Sequence, residues 1–209
     1  MKNIIEYILF LIVGKFYSLL GLKHARRFAT LFAVFFYYII PIRKKTVIDN
    51  LTHAFPDYSI HQIKKIAYGS YKSFSITLIE LFCLPGMSRS DLEKTVVCPN
   101  KFLIDEKFRQ GNGLILLSAH FGNWEYVALS VSAQINKTFN VVVKSQRNPY
   151  VNNWMNKVRT KWENKIIPLG PSIRQVYKEL KDKNIVAMVA DQRGPADGIR
   201  VNFFGRKIS

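Results

Sequence analysis

The sequence is poor in acid. Its 209 residues carry 14 Asp and Glu against 31 Lys and Arg, a formal net charge of +17. A solvating surface does not require that imbalance, so it points to an anionic partner: nucleic acid, an anionic membrane, or an acidic protein or phosphorylated substrate. Cysteine is scarce as well. Cys83 and Cys98 make no CxxC pair and no framework. They read most simply as reduced thiols on the cytosolic side of a membrane, with one disulfide as the alternative. With 11 Gly and 8 Pro the chain is neither collagen-like nor of low complexity, and 48% hydrophobic residues exclude a disordered polypeptide. There is no GxSxG elbow, no HExxH, no clustered His/Cys set and no glycine-rich phosphate loop, so neither a metal site nor a cofactor is expected.

What is present begins with a long apolar N-terminus. Ile4 to Leu20 is broken only by Glu6, Gly14, Lys15 and Ser18. As a helix these residues would span roughly 26 Å, slightly short of a ~30 Å hydrocarbon core. A tilted span and an interfacial helix are both compatible with that length. No small-x-small site comes after the run, which argues against a cleaved signal peptide. Lys23, Arg26 and Arg27 come next, and Arg43, Lys44 and Lys45 flank the end of a second apolar run, Phe28 to Ile42. These flanks favour membrane attachment over two buried core helices and place the bulk of the chain in the cytosol. Phe32, Phe35, Phe36 and Tyr37 read as core or bilayer contacts, while Trp154 and Trp162 suit interface anchors and packing equally.

From Lys45 to Cys83 the pattern is helical, with Ser59 and Gln62 as a capping box and Pro85-Gly86 as a break. Ser90 with Glu93 can start a further short element. His24, His53 and His61 are scattered and read as surface or capping residues. After Gly113 short apolar runs alternate with helical stretches: Leu114 to Ala119, Phe139 to Val143, Ile166 to Leu169 and Ile185 to Ala190. A helix capped by Ser172 and Gln175 precedes the last of them, and Ile199 to Phe204 is a final strand candidate. Runs too apolar to alternate predict a parallel sheet covered on both faces. The expected fold is therefore α/β, a parallel-rich sheet with flanking helices. Three parts are expected: an N-terminal membrane helix (1–22), a helical segment (23–112), and an α/β core (113–209).

Three of these runs end in a polar residue of catalytic type: His120, Lys144 and Asp191. Ligands of open parallel sheets bind beyond the carboxyl ends of the strands, so these three should converge on one crevice. Around the first, His120-Phe121-Gly122-Asn123-Trp124-Glu125 reads as a tight turn at Gly122 and an N-cap at Asn123. Glu125 would sit in the first helical turn, within reach of His120, where a carboxylate fixes the tautomer of a general base. The helix N-terminus there suits a phosphate or a developing oxyanion. An N-capping Asn, a helix-dipole Glu and an incidental His would give the same string. Without a protein nucleophile, a His–Glu pair fits direct transfer, in which His120 deprotonates an acceptor hydroxyl that attacks an activated acyl group.

The string His120-x4-Glu125 resembles the His-x4-Glu/Asp block of the bacterial lipid A late acyltransferases, the lauroyl/myristoyl transferase family of the lysophospholipid acyltransferase superfamily. Asn50-Leu51 with Ala54-Phe55-Pro56, Asn148-Pro149 with Arg159, Asp191-Gln192, and Val201-Asn202-Phe203-Phe204-Gly205 resemble further blocks of that family in the same order. The resemblance implies transfer of a fatty acyl chain, usually from acyl carrier protein, to a hydroxyl of a lipid A precursor. It implies His120 as base with Glu125 as its partner. Arg159 and Asp191 would be the second polar pair, around the acceptor or in the frame of the active site, with Lys144 where the family often has Arg. It further implies a bacterial inner-membrane location with the catalytic part facing the cytoplasm. The triplet Asp191-Gln192-Arg193 departs from the usual Asp-Gln/His-Asp, and family chains continue beyond the Phe-Phe-Gly block, so the core is expected to be C-terminally incomplete.

Three other readings have their own discriminators. A nucleic-acid binder would share the charge, but no recognition motif accompanies it. A lysophosphatidate-type glycerolipid acyltransferase would carry a Phe-Pro-Glu-Gly-Thr block after the histidine, which this chain lacks. A non-catalytic, membrane-attached binding protein of the same fold would lose nothing but stability on replacement of His120. Coenzyme A remains the alternative acyl donor.

Overall fold

The structure, a computed structural model, describes residues 1–170, 173–192, 194 and 198–208. The chain forms two compact units, one from Met1–Leu19 with Leu81–Asp191 and one from Leu20–Glu80 with Gln192–Ser209. The long helix α1 (Lys2–Val34) contributes its beginning to the first and the rest to the second, with non-helical backbone at Gly21.

The first unit holds the sheet. Strands β1 (Leu114–Ser118), β2 (Phe139–Val143), β3 (Lys165–Pro168) and β4 (Ile185–Val189) are all parallel, in the order β1-β4-β2-β3. Helices α6 (Trp124–Ile135), α7 (Pro149–Arg159) and α8 (Ile173–Lys181) make the three crossovers. Val131 and Ile135 of α6 pack with Phe139 and Ile185, joined by Leu114, Leu116, Val141 and Ala187 from the same sheet face. Ile104 and Phe108 of α5 (Lys101–Arg109) complete that core. Right-handed crossovers carry α6 and α7 over this face and α8, which runs back from β3 to β4, over the other. The opposite face is buried at Val186 and Ile167, but at β1 it is open, with Leu117 70% exposed. The expectation of cover on both faces therefore fails at β1, because that strand lies at the sheet edge, beyond the reach of α8.

Two sequence boundaries shift. The short element near Ser90 is α4 (Arg89–Thr95), capped by Ser88 with Asp91 in a reciprocal capping box. The box lies two residues earlier than the sequence suggests, with Asp91 accepting from the main-chain NH and the hydroxyl of Ser88 while Glu93 pairs with Arg89. The run Ile199 to Phe204 does not join the parallel sheet. Its Val201–Phe203 forms β5, antiparallel to β6 (Arg206–Ile208), in the second unit. Ser172 and Arg193 lie outside the described residues.

The beginning of α1 packs on the first unit along one face. Asn148, which caps α7 by accepting from the Tyr150 and Val151 amides, also donates to the Asn3 carbonyl at 2.8 Å and to Glu6 Oε2 at 3.1 Å. Phe10 meets Trp154 edge-on with ring centroids 5.0 Å apart and Phe82 at 4.8 Å. At Gly14 the approach is closest, since a Cβ there would lie 2.5 Å from the Phe82 ring. Gly14→Leu should therefore lower stability by about 1–3 kcal/mol through overpacking, read as a fall in Tm in detergent.

In the second unit, α1 runs antiparallel to α3 (Ile60–Cys83). Ala25, Ala29 and Ala33 are fully buried, four residues apart, so small side chains line one stripe and let the helix backbones approach. Arg26 pairs with Glu80 at one end, and Tyr37 donates to the Lys64 carbonyl and packs on Tyr68 and Tyr71 at the other. Helix α3 opens on the Ser59–Gln62 box read from the sequence. Arg206 of β6 reaches Asp49, Asn50 and His53 of α2 (Lys44–Ala54), and Phe55 meets Phe204. The Asn50-Leu51 and Phe203-Phe204-Gly205 blocks, far apart in sequence, are thus neighbours.

Candidate active site

The register of the sheet assembles the site. Ser118 of β1 is level with Val189 of β4, and the Ala190 amide donates to the Ser118 carbonyl at 3.0 Å. Just beyond these strand ends, His120 and Asp191 stand side by side. The His120 amide donates to Asp191 Oδ2 at 2.8 Å, and its ring Nδ1 lies 2.7 Å from Oδ1. The pair thus stands beyond the carboxyl ends of two adjacent parallel strands, the end of an open α/β sheet at which ligands bind.

The partner of His120 is therefore Asp191, and the expected contact with Glu125 is not made. Glu125 points inward from the first turn of α6 and receives a forked hydrogen bond from Arg159, with Nη2 to Oε1 at 2.5 Å and Nε to both carboxylate oxygens at 3.0 Å. Both side chains are about 10% exposed. The expected pairing of Arg159 with Asp191 is exchanged for this one. Helix geometry explains the exchange: Glu125 lies on the face of α6 turned toward α7, whereas direct β1–β4 pairing brings Asp191 to the histidine.

The local turn agrees with the sequence reading. Gly122 has φ +59°, a left-handed value that suits glycine, and Asn123 caps α6 by accepting from the Tyr126 amide at 3.1 Å. Trp124 sets its ring edge-on to His120, centroids 4.6 Å apart. Lys144 ends β2, one strand beyond Asp191, and is exposed with no ion-pair partner among the described residues. Ordinary strand spacing puts it ~10 Å from the His120 strand. The three strand ends are thus adjacent, but only two of their side chains meet. Among the described residues no cluster of three His, Cys, Asp or Glu could hold a metal ion.

Burial works against the charge of Asp191, yet the hydrogen bonds from the His120 ring and amide outweigh it and hold its pKa below the ordinary carboxylate value. A lowered folded pKa means that ionised Asp191 stabilises the fold above the unfolded carboxylate range, near ~4, and that this contribution is lost as pH falls from there through the lowered folded value. The Tm gap between the parent and Asp191→Asn should close as pH falls below about 4, as thermal melts across the acid range would record.

One further polar contact has no sequence signature. Lys161 donates to the carbonyls of Leu84, Pro85 and Met87 at 3.2, 3.0 and 2.7 Å, clasping the turn after α3 to the segment after α7. Burial pushes its pKa down. Only the Pro85-Gly86 break hinted at a turn, and a lysine that binds main-chain carbonyls obeys no spacing rule.

A polar pair beyond the carboxyl ends of an open parallel sheet stands where folds of this class bind ligands. Compared with known proteins, the sequence matches the model of the bacterial lipid A biosynthesis acyltransferases over residues 2–208, nearly its whole length, and the chain belongs to that family. It is an acyltransferase of lipid A biosynthesis, and the family implies an acceptor of the lipid A type. No individually curated protein matches it significantly.

Proposed function

We propose that the protein moves a fatty acyl chain from an acyl carrier protein thioester to a hydroxyl of a lipid A precursor or related glycolipid, with His120 as general base. The observation that carries this reading is the contact between His120 Nδ1 and Asp191 Oδ1, 2.7 Å long, at the carboxyl ends of adjacent strands. With Nδ1–H held by the carboxylate, Nε2 is the atom that accepts the acceptor's hydroxyl proton. The oxygen attacks the thioester carbonyl and the C–S bond breaks. The proton then passes from Nε2 to the departing thiolate, and the ester is released with the base restored. No cofactor is needed, because the thioester is already activated.

The other residues fall into supporting roles. Gly122 and Asn123 shape the turn that puts the positive end of α6 beside the base, where a developing oxyanion gains most. Lys144 offers an exposed cation for a phosphate of the acceptor or an acidic carrier. Glu125 and Arg159 act on the site through the helix they brace. The net charge of +17 suits an acidic carrier, a phosphorylated acceptor and an anionic membrane together. One helical run among the described residues, Lys2–Ile39, is long and apolar enough to cross a membrane, and we place the protein at the bacterial inner membrane with its sheet on the cytoplasmic side.

The test is acyl transfer in detergent to a tetra-acylated lipid A precursor, from carrier-protein and coenzyme A thioesters in parallel. Transfer from the carrier thioester supports the reading. Preference for the coenzyme A thioester overturns the donor assignment, and failure with both donors overturns the reaction.

A further inference from the structure

We infer that residues 2–19 of α1 lie in the plane of one leaflet of an anionic bilayer and do not cross it. The inference rests on the membrane attachment proposed above and specifies its geometry. On a helical wheel the segment has two opposed faces, with Ile4 and Leu11, both exposed, at the border between them. Tyr7, Phe10, Gly14 and Tyr17 form one face, and all four are wholly or partly buried against the first unit. Ile5, Ile8, Leu9, Ile12, Phe16 and Leu19 form the opposite face, and each is an exposed large apolar residue.

The buried face is docked from end to end. Asn148 holds the Asn3 carbonyl and the Glu6 carboxylate. Tyr150 stacks on Tyr7, with centroids 5.6 Å apart, and Phe82 and Trp154 hold Phe10. The Cys83 thiol points to the Tyr17 carbonyl. From residue 3 to residue 17 the helix rises ~21 Å, so the protein body accompanies it over most of the thickness of a hydrocarbon core. A transmembrane orientation would carry α7 into the acyl chains with its exposed Asn153 and Lys157, which no partner there would satisfy. Lying flat, the same helix sinks only its free apolar face. Lys2 at its start and Lys15 on the exposed side then reach anionic headgroups, the lysine stem lying along the apolar surface.

The experiment uses the full chain with Cys83→Ala and Cys98→Ser, carrying one nitroxide at a time at Ile5→Cys, Ile12→Cys or Leu19→Cys. It is mixed with vesicles of phosphatidylethanolamine and phosphatidylglycerol, and with phosphatidylcholine alone as the neutral control. Accessibility to oxygen and to a water-soluble nickel relaxer gives the depth of each label. The expected result is binding that favours the anionic vesicles and three equal depths within one leaflet. A depth that changes steadily by ~21 Å between residues 5 and 19 overturns the in-plane geometry and leaves membrane attachment standing. Absence of binding to both vesicles overturns the attachment itself. Dipolar coupling between labels at Ile12 in a dimer that ignores lipid assigns the apolar face to a second copy of the chain and overturns the inference.

Discussion

His120→Ala should reduce acyl transfer by about 10²–10⁴-fold, the usual contribution of a positioned general base, with little change in Tm. The histidine side chain is 29% exposed, beside Asp191 and edge-on to Trp124, so truncation leaves no cavity in the core. Asp191→Asn tests the assignment of the partner. It keeps the size of the side chain but removes the charge that holds the Nδ1–H tautomer, and should lower kcat while leaving substrate binding nearly intact. Glu125→Gln should behave differently, with its first effect on stability. Steady-state kinetics and melts of the three variants, measured side by side, separate the roles. Equal kcat in the parent and His120→Ala would exclude the proposed base and point to a binding protein that keeps the fold.

Arg159→Ala should be the most destabilising single substitution near the site. It leaves the Glu125 carboxylate buried with no cation, and breaking such a pair from one side costs about 3–5 kcal/mol. For a chain of this size that corresponds to a fall in Tm of about 6–20 °C. The double replacement Glu125→Leu with Arg159→Met should recover most of the loss, because a buried ion pair exchanged for packed apolar side chains is often neutral. If the single variant melts like the parent, the forked contact carries no stability and its role as a brace between α6 and α7 is wrong. Recovery of stability without recovery of rate in the double variant would show that the pair also aims the α6 terminus at the base.

The strands are legible in the sequence because their apolar runs are short and bounded, and His120, Lys144 and Asp191 stand out as the polar residues at the ends of three of them. The order of the strands is not legible. Nothing in the composition of Ile185–Val189 says that it pairs with both β1 and β2, and that insertion decides which carboxylate meets the histidine. Glu125, close to His120 in the chain, is the natural candidate on spacing, but helix rotation turns it inward while the sheet register supplies Asp191 from 71 residues away. The Ser59–Gln62 cap, the Pro85-Gly86 break and the Gly122–Asn123 turn are local, and the sequence shows each of them where the structure has it. The uncovered face of β1 and the Lys161 clasp depend on tertiary placement, which leaves no periodic trace.

The position of β4 also sets a schedule for synthesis. Because it separates β1 from β2, β1 has no sheet partner, and β2 has only β3, until residues 185–189 have left the ribosome, and Asp191 emerges after them. A nascent chain that already displays His120 has every residue of the first helical turn beside it and still lacks the carboxylate that orients the ring. If His120 and Asp191 act as proposed, chemistry is withheld from the growing polypeptide and arrives in one step with the strand that closes the sheet. Release of chains stopped at successive lengths should show folding of this unit and the onset of turnover appearing together, not one after the other.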